Sequence, residues 1–208
     1  MSHLHVIQHP LFQHKLGILR NRNTSSYEFR TVFSELSGLL AYEATKDLAL
    51  KDDPIETPLE KTVVRRVAEE VVIACILRAG EGMLDGFLRA IPFAQVGHIG
   101  IYRDKNMENT VEYYFKMPKE VRGKKIFLLD PLLATGDTAL AALDRLKQYQ
   151  VGPIKLITIF SSEVGLNKVR AEHPDVEIFT CSVERELDDH GYLRPGVGDA
   201  GDRLFRTV

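Results

Sequence analysis

The sequence predicts an α/β domain: a parallel sheet of about five strands with helices on both faces. Three observations lead there. Five runs, at 71–77, 96–102, 126–129, 154–160 and 176–181, are predominantly apolar, the first without a break, as buried parallel strands would be. Helical periodicity fills the gaps at 81–90, 138–149 and 164–172, and strands alternating with helices make parallel sheets. The 208 residues are 44% hydrophobic and 27% charged, an ordinary globular mixture that can bury a large core without disulfides.

Residues 1–50 read as a helical arm. Ser25 and Glu28 have capping-box spacing. Phe29, Val32, Phe33, Leu36, Leu39 and Leu40 then recur at helical intervals, in a pattern that dominates 25–50. Pro54 and Pro58 break the chain ahead of a charged stretch of ambiguous periodicity. The strand-and-helix core follows, over about 65–182. The last stretch, 190–208, carries four glycines and a proline and reads as an ordered loop, neither strand nor helix. All of 1–208 is expected to form one domain, with a functional loop over about 188–208.

Composition excludes several classes of function. A net charge of -2 gives no basic footprint for nucleic acid. Cys75 and Cys181 lie inside apolar runs as buried free thiols, too few for a disulfide framework or a zinc site. No apolar run approaches the roughly 20 residues that span a bilayer, so no membrane association is expected. The first ten residues lack a basic start before an apolar stretch, so a cytoplasmic protein is expected. His9 and His14 do not share a helix face at their spacing and are set aside as a metal pair.

In open α/β sheets ligands bind beyond the C-terminal strand ends. The segments after Leu77, Tyr102 and Leu129 are therefore the places to inspect. The third runs Asp130, Pro131, Leu132, Leu133, Ala134, Thr135, Gly136, Asp137, Thr138, and then enters a helix. A helix start offers unpaired N–H groups and a positive dipole end to a phosphate. Gly136 admits an anion close to the backbone, and the Thr135 and Thr138 hydroxyls add donors. Asp130, at the strand tip, can accept hydrogen bonds from sugar hydroxyls. A plain strand-to-helix turn with Asp137 as helix cap fits the same residues. The Gly-Lys-Ser/Thr ending of a nucleoside-triphosphate loop is missing.

Residues 130–138 resemble the phosphoribosyl-diphosphate motif of the type I phosphoribosyltransferases, in the Asp-Pro form of the uracil phosphoribosyltransferases. Three further segments resemble the same family. Ile76, Leu77, Arg78, Ala79 and Gly80 are similar to its diphosphate loop, where a guanidinium and inturned N–H groups stabilise a departing diphosphate. Arg103 matches an arginine that contacts the phosphoribosyl substrate. Beyond it, 105–117 falls where the family has a mobile flap, although an exposed hairpin fits those residues too. Residues 191–205 are similar to the family's uracil-binding loop. Uracil presents acceptor, donor and acceptor along one edge, which backbone groups can match; cytosine would leave buried groups unpaired. His9-Pro10-Leu11, His14-Lys15-Leu16, Tyr42-Glu43-Ala44 and Asp47-Leu48 extend the resemblance over nearly the whole chain.

The resemblance implies a type I phosphoribosyltransferase fold with a small hood formed with the C-terminal loop. It implies transfer of the 5-phosphoribosyl group from 5-phosphoribosyl 1-diphosphate to N1 of uracil, giving UMP and diphosphate. Arg78, Arg103, residues 130–138 and Asp199 would hold the phosphoribosyl substrate; Leu193, Gly198, Asp199 and Ala200 would contact uracil. Arg78, Arg103 and Asp130 would carry catalysis, with Asp199 a candidate only and no general base identified. Mg²⁺ is expected to enter with the substrate. A homodimer or larger homo-oligomer is implied, formed partly by the N-terminal region, and GTP activation, known in some members, stays open.

Some positions depart from the family. Thr110 replaces a proline and Arg206 a glycine, while Val197 and Leu193 are mild changes. Glu81 replaces an apolar residue and Asp137 a glycine, both near a polyanionic substrate. Two like charges about 4 Å apart cost on the order of 4 kcal/mol at an effective dielectric of about 20. Two other functions therefore stay open. One is a regulator that senses the phosphoribosyl substrate without turnover. The other is a transferase for a different base, since Arg194 flanks the base loop.

Overall fold

Strands buried between two layers are apolar along most of their length, and those formed by the five runs lie side by side in one sheet. A computed structural model describes residues 3–104 and 109–207, the side chains of Arg103, Asp104 and Asn109 excepted. The chain begins β1 (Leu4–Val6), α1 (Pro10–Arg20), α2 (Ser26–Ala44), β2 (Leu50–Glu56) and β3 (Lys61–Val67). It continues β4 (Val71–Leu77), α3 (Glu81–Ala90), β5 (Gln95–Asp104), β6 (Asn109–Lys116), β7 (Lys125–Leu129) and β8 (Leu132–Leu133). Then come α4 (Asp137–Gln148), β9 (Ile154–Ile157), β10 (Phe160–Ser162), α5 (Glu163–Glu172) and β11 (Glu177–Thr180). The last elements are β12 (Ser182–Glu184), β13 (Glu186–Leu187), β14 (Leu193–Arg194) and α6 (Ala200–Phe205).

Among the described residues the main sheet has seven strands, in the order β1-β11-β9-β7-β4-β5-β6. Every neighbouring pair is parallel except β5 and β6. The five apolar runs supply the five inner strands. Of the two edge strands, β6 lies where an exposed hairpin also fits 105–117, while β1, only Leu4-His5-Val6, was not foreseen because it is too short to show a pattern. Successive residues of β4 enter opposite cores. Val71, Ile73 and Cys75 join the cluster under α1, α2 and α3. Val72, Ala74 and Ile76 join the cluster under α4 and α5.

The arm is helical twice over. His9 Nδ1 accepts the Leu11 N–H at 3.1 Å, and Pro10 opens α1 where its missing N–H is not needed. Ser25 Oγ accepts the Glu28 N–H at 3.2 Å and starts α2. The helix stops at Ala44, short of 50. The Thr45 hydroxyl donates to the Ala41 carbonyl at 2.7 Å, and the buried Lys155 ammonium donates to the Ala44 carbonyl at 2.8 Å.

Three expectations need correction. Pro54 does not break the chain; it lies inside β2, which pairs with β3 as an isolated two-stranded ribbon. Among the described residues no third strand joins the ribbon, so the missing N–H leaves no ladder bond unmade. The run 154–160 is not one strand. The Pro131 carbonyl accepts the N–H groups of both Ile159 and Phe160 at 3.0 Å, so the chain bends between β9 and β10. Strands β8, β10 and β12 then form a second, three-stranded parallel sheet in the order β12-β10-β8. The stretch after 190 is more than a loop: β14 pairs antiparallel with β13, and α6 follows. Asp199 Oδ1 accepts the Asp202 N–H at 2.9 Å and caps this six-residue helix.

The connections set the position of the site. From β4 the chain crosses through α3 to β5, on one side; from β7 it crosses through α4 to β9, on the other. Neighbouring strands that send their chains apart leave a crevice beyond their C-terminal ends. Among the described residues no helix is long and apolar enough to cross a membrane. Phe127 lies fully buried on β7 with its ring centroid 6.0 Å from that of Phe87 on α3. Phe127→Ala is expected to cost about 3–5 kcal/mol, read from urea unfolding; a loss under about 1 kcal/mol would contradict this placement of the core.

Candidate active site

A cleft of about 250 Å³ fills the crevice between β4 and β7, with walls from four parts of the chain. The end of β4 brings Ile76, Leu77, Arg78 and Ala79. The end of β7 and start of α4 bring Asp130, Leu132, Leu133, Ala134, Thr135, Gly136, Thr138 and Ala139. Ile101 comes from β5, and the C-terminal segment returns to add Asp199 and Gly201.

Close packing of backbone shapes two walls. A Cβ on Gly80 would stand 2.4 Å from the Leu129 carbonyl oxygen and 2.6 Å from that of Ile76. Only glycine lets this turn settle against the end of β7. The peptide between Leu77 and Arg78 is cis. Gly136 precedes α4 with φ +89°, a left-handed conformation that favours glycine. The N-cap of α4 is Gly136, which has no side chain to cap the helix, and a helix start of this kind suits an anion. The Ser162 hydroxyl steadies this loop from behind by donating to the Ala134 carbonyl.

Asp130 is partly buried at the mouth of β7, and burial pushes its carboxyl up to about 7, although a hydrogen bond from the Leu132 N–H works the other way. Arg78 is exposed and bridges to the C-terminal segment. It donates to Asp202 Oδ1 at 3.1 Å and to the Thr207 hydroxyl at 3.2 Å. Two of the five guanidinium donors are thereby engaged. The Thr207 hydroxyl and the Arg78 guanidinium hold the Asp202 carboxylate below its ordinary range.

The two added acids turn away from the cleft. Glu81 opens α3 with its carboxylate 3.5 Å from His98 Nε2. Asp137 does not cap α4, as the simpler turn reading had it; it pairs with Lys168 of α5 and accepts the Thr135 hydroxyl at 2.8 Å. Neither lines the cleft.

Other foreseen positions also lie off its surface. Pro131 is buried with its carbonyl directed at β10. Leu193 and Ala200 are buried and Gly198 is exposed, while their neighbour Asp199 reaches the cleft. The Arg103 backbone pairs with Thr110, but its side chain and residues 105–108 lie outside the described residues. The described part of the expected flap is the antiparallel arm β6, with Tyr113 and Tyr114 exposed. Ile101, Ala139 and Gly201 were missed as wall residues. They carry no reactive group, and nothing in their sequence context marks them. Among the described residues, no three His, Cys, Asp or Glu side chains gather as a metal site.

The chain matches known proteins along its length. A family model described as uracil phosphoribosyltransferase matches residues 6–207. A curated uracil phosphoribosyltransferase of Polaromonas naphthalenivorans is 50% identical over 208 residues, all of both chains. That of Lactococcus lactis subsp. cremoris is 47% identical over 210 residues, again covering both chains whole. A solved Aquifex aeolicus protein superposes with a TM-score of 0.94 at 36% identity, over 98% of each chain. The orotate phosphoribosyltransferase of Mycobacterium tuberculosis shares the fold, with a TM-score of 0.52 at 13% identity over 86% of this chain and 95% of that one.

The raised carboxyl has a measurable consequence. Its folded pKa, about 7, lies above the ordinary 3.8. Stability drawn from the protonated form is therefore complete below about pH 4 and lost as pH rises through about 7. Asp130→Asn, which does not titrate, should gain on the unmodified protein across that window, by up to roughly 4 kcal/mol. Chemical denaturation at pH 4 and pH 8 reads the difference, and parallel pH profiles would contradict the raised value.

Proposed function

The chain belongs to the uracil phosphoribosyltransferase family, and we infer from that premise that it joins uracil to 5-phosphoribosyl 1-diphosphate, giving UMP and diphosphate in pyrimidine salvage. One observation carries this assignment to the cleft: Asp130 and Asp199, from the two ends of the expected site, line the same 250 Å³ space. The sugar end and the base end can then meet at one carbon.

In the proposed arrangement the 5′-phosphate rests on the loop 134–138, against the uncapped start of α4. Asp130 accepts hydrogen bonds from the ribose hydroxyls, which favour its ionised form. Uracil lies against Leu193, Gly198 and Ala200, read chiefly by backbone groups, with Asp199 between base and ribose. The bond from C1′ to the diphosphate oxygen breaks as the bond from uracil N1 to C1′ forms, and the N1 proton is released. Asp199 is the candidate to receive that proton, although its Oδ1 already accepts the Asp202 N–H. Arg78 and Arg103 draw off the negative charge that grows on the departing diphosphate. Among the described residues only Asp202 and Thr207 accept from Arg78, so donors remain for this. Positioning and electrostatics therefore supply most of the rate.

The cleft offers Asp130 and Asp199 as carboxylates. That donor set suits Mg²⁺, which is commonly held through one or two carboxylates together with substrate phosphates. When bound, the ion neutralises diphosphate charge. All of 1–208 acts as one catalytic domain in this reading. Its buried free thiols suit a reducing, cytoplasmic setting. A homodimer or larger assembly is assigned to the N-terminal arm, where exposed Leu11, Tyr27 and Tyr42 supply apolar surface. A GTP effector is carried over from the resemblance alone, and running the assay below with GTP tests it. The outward turn of Glu81 and Asp137 removes the motive for a regulator without turnover.

Purified protein with 5-phosphoribosyl 1-diphosphate and Mg²⁺ should form UMP from uracil, and prefer uracil over cytosine, hypoxanthine and orotate by at least about tenfold in kcat/KM. Parity among the bases would defeat the assignment of the base loop. Asp130→Ala and Arg103→Ala should each lower kcat/KM at least about 100-fold. Unchanged UMP synthesis by either variant would remove that residue from the mechanism.

A further inference from the structure

Glu184 is a carboxylate with 1% of its side chain exposed, at the end of β12 and outside the cleft. A buried charge persists only when paired and hydrogen-bonded. Glu184 is fully engaged. Arg20, the last residue of α1, forks onto it, Nη1 to Oε2 at 2.8 Å and Nη2 to Oε1 at 2.6 Å. The Ser182 hydroxyl donates to Oε1 at 2.7 Å. Arg20 also lies over the Phe160 ring, its guanidinium carbon 4.7 Å from the ring centroid. Burial favours protonation of Glu184, yet Arg20, Ser182 and the Gly196 N–H together hold its carboxyl below the ordinary range.

Gly196 explains what the pair is for. Its N–H donates to Glu184 Oε2 at 2.8 Å, and its carbonyl accepts from Arg20 Nη1 at 3.1 Å. One residue of the C-terminal loop is thus gripped by both of its backbone polar groups. It lies between Leu193 on one side and Gly198 and Asp199 on the other. We propose that the Arg20–Glu184 pair is a positioning device for base recognition, fixing the loop 193–200 so that its backbone is set to read uracil. The pair touches no substrate. It acts through Gly196, and the inference rests on the reading that this loop binds the base.

A guanidinium is required because one planar fork serves both carboxylate oxygens and the Gly196 carbonyl at once. An ammonium keeps the charge and lacks the fork. Arg20→Lys therefore loosens the loop while leaving the buried carboxylate a counter-charge. Glu184→Gln keeps the shape but puts an amide donor where one carboxylate oxygen accepted.

Steady-state kinetics of both variants, with each substrate varied in turn, test the proposal. The expected result is a uracil KM raised at least about tenfold, with the KM for 5-phosphoribosyl 1-diphosphate within about twofold of the unmodified enzyme. The preference for uracil over cytosine should fall as well. A general loss of structure would move both KM values or kcat alone, and that outcome overturns the proposal. So does a uracil KM unchanged in Arg20→Lys, the variant of choice if Glu184→Gln does not fold. If the unmodified enzyme makes no UMP from uracil, the base-loop reading has failed, and that result is distinct from failure of the clamp.

Discussion

Strands β4 and β7 lie side by side but send their chains apart, one through α3 to β5 and the other through α4 to β9. Parallel strands cannot be joined by short turns, so their C-terminal ends carry long excursions, and between two that diverge nothing covers the backbone. That uncovered gap is the constraint around which the molecule is arranged. The β4 end brings a guanidinium, the β7 end a carboxylate and an uncapped helix start. The third wall must come from elsewhere, and the C-terminal segment provides it.

A tail with four glycines has much conformational freedom to lose before it can act as a wall. It is restrained by charged groups set where the arm meets the core. Arg20 and Glu184 hold Gly196. Arg203 donates to the carbonyls of Leu19, Val197 and Asn21 and lies over the Phe29 ring at 4.2 Å. Arg78 reaches across from the β4 end to Asp202 and Thr207. The end of α1 therefore does more than extend the fold: it anchors the segment that completes the cleft.

Sequence was most legible where burial is continuous. Val71–Leu77 and Glu81–Ala90 lie where the apolar run and the helical period put them, because two-sided burial favours an unbroken apolar strand and one-sided helix burial imposes a period. The ribbon β2–β3 was illegible because Asp52, Asp53, Arg65 and Arg66 leave no apolar face and Pro54 argues against a strand. The helix α6 was hidden by its length, six residues behind a run of glycines. In the candidate site, the turn at Thr135 and Gly136 stood out because its residue types suit an anion. Nothing local announced that Arg20 would meet Glu184, 164 residues away, or that Asp137 would turn to Lys168. Such pairings depend on which elements the topology brings together, and that is known only once the sheet order is known.

The proposed function is a spatial one: the loop 134–138 and the C-terminal loop would form two ends of one pocket that takes a pyrimidine nucleotide. A crystal structure with UMP bound tests it most directly. The account predicts the 5′-phosphate against 134–138, the ribose hydroxyls on Asp130, and the uracil edge facing the backbone of 193–200. UMP bound with its base turned away from 193–200, or at a site remote from the β4–β7 crevice, would contradict it.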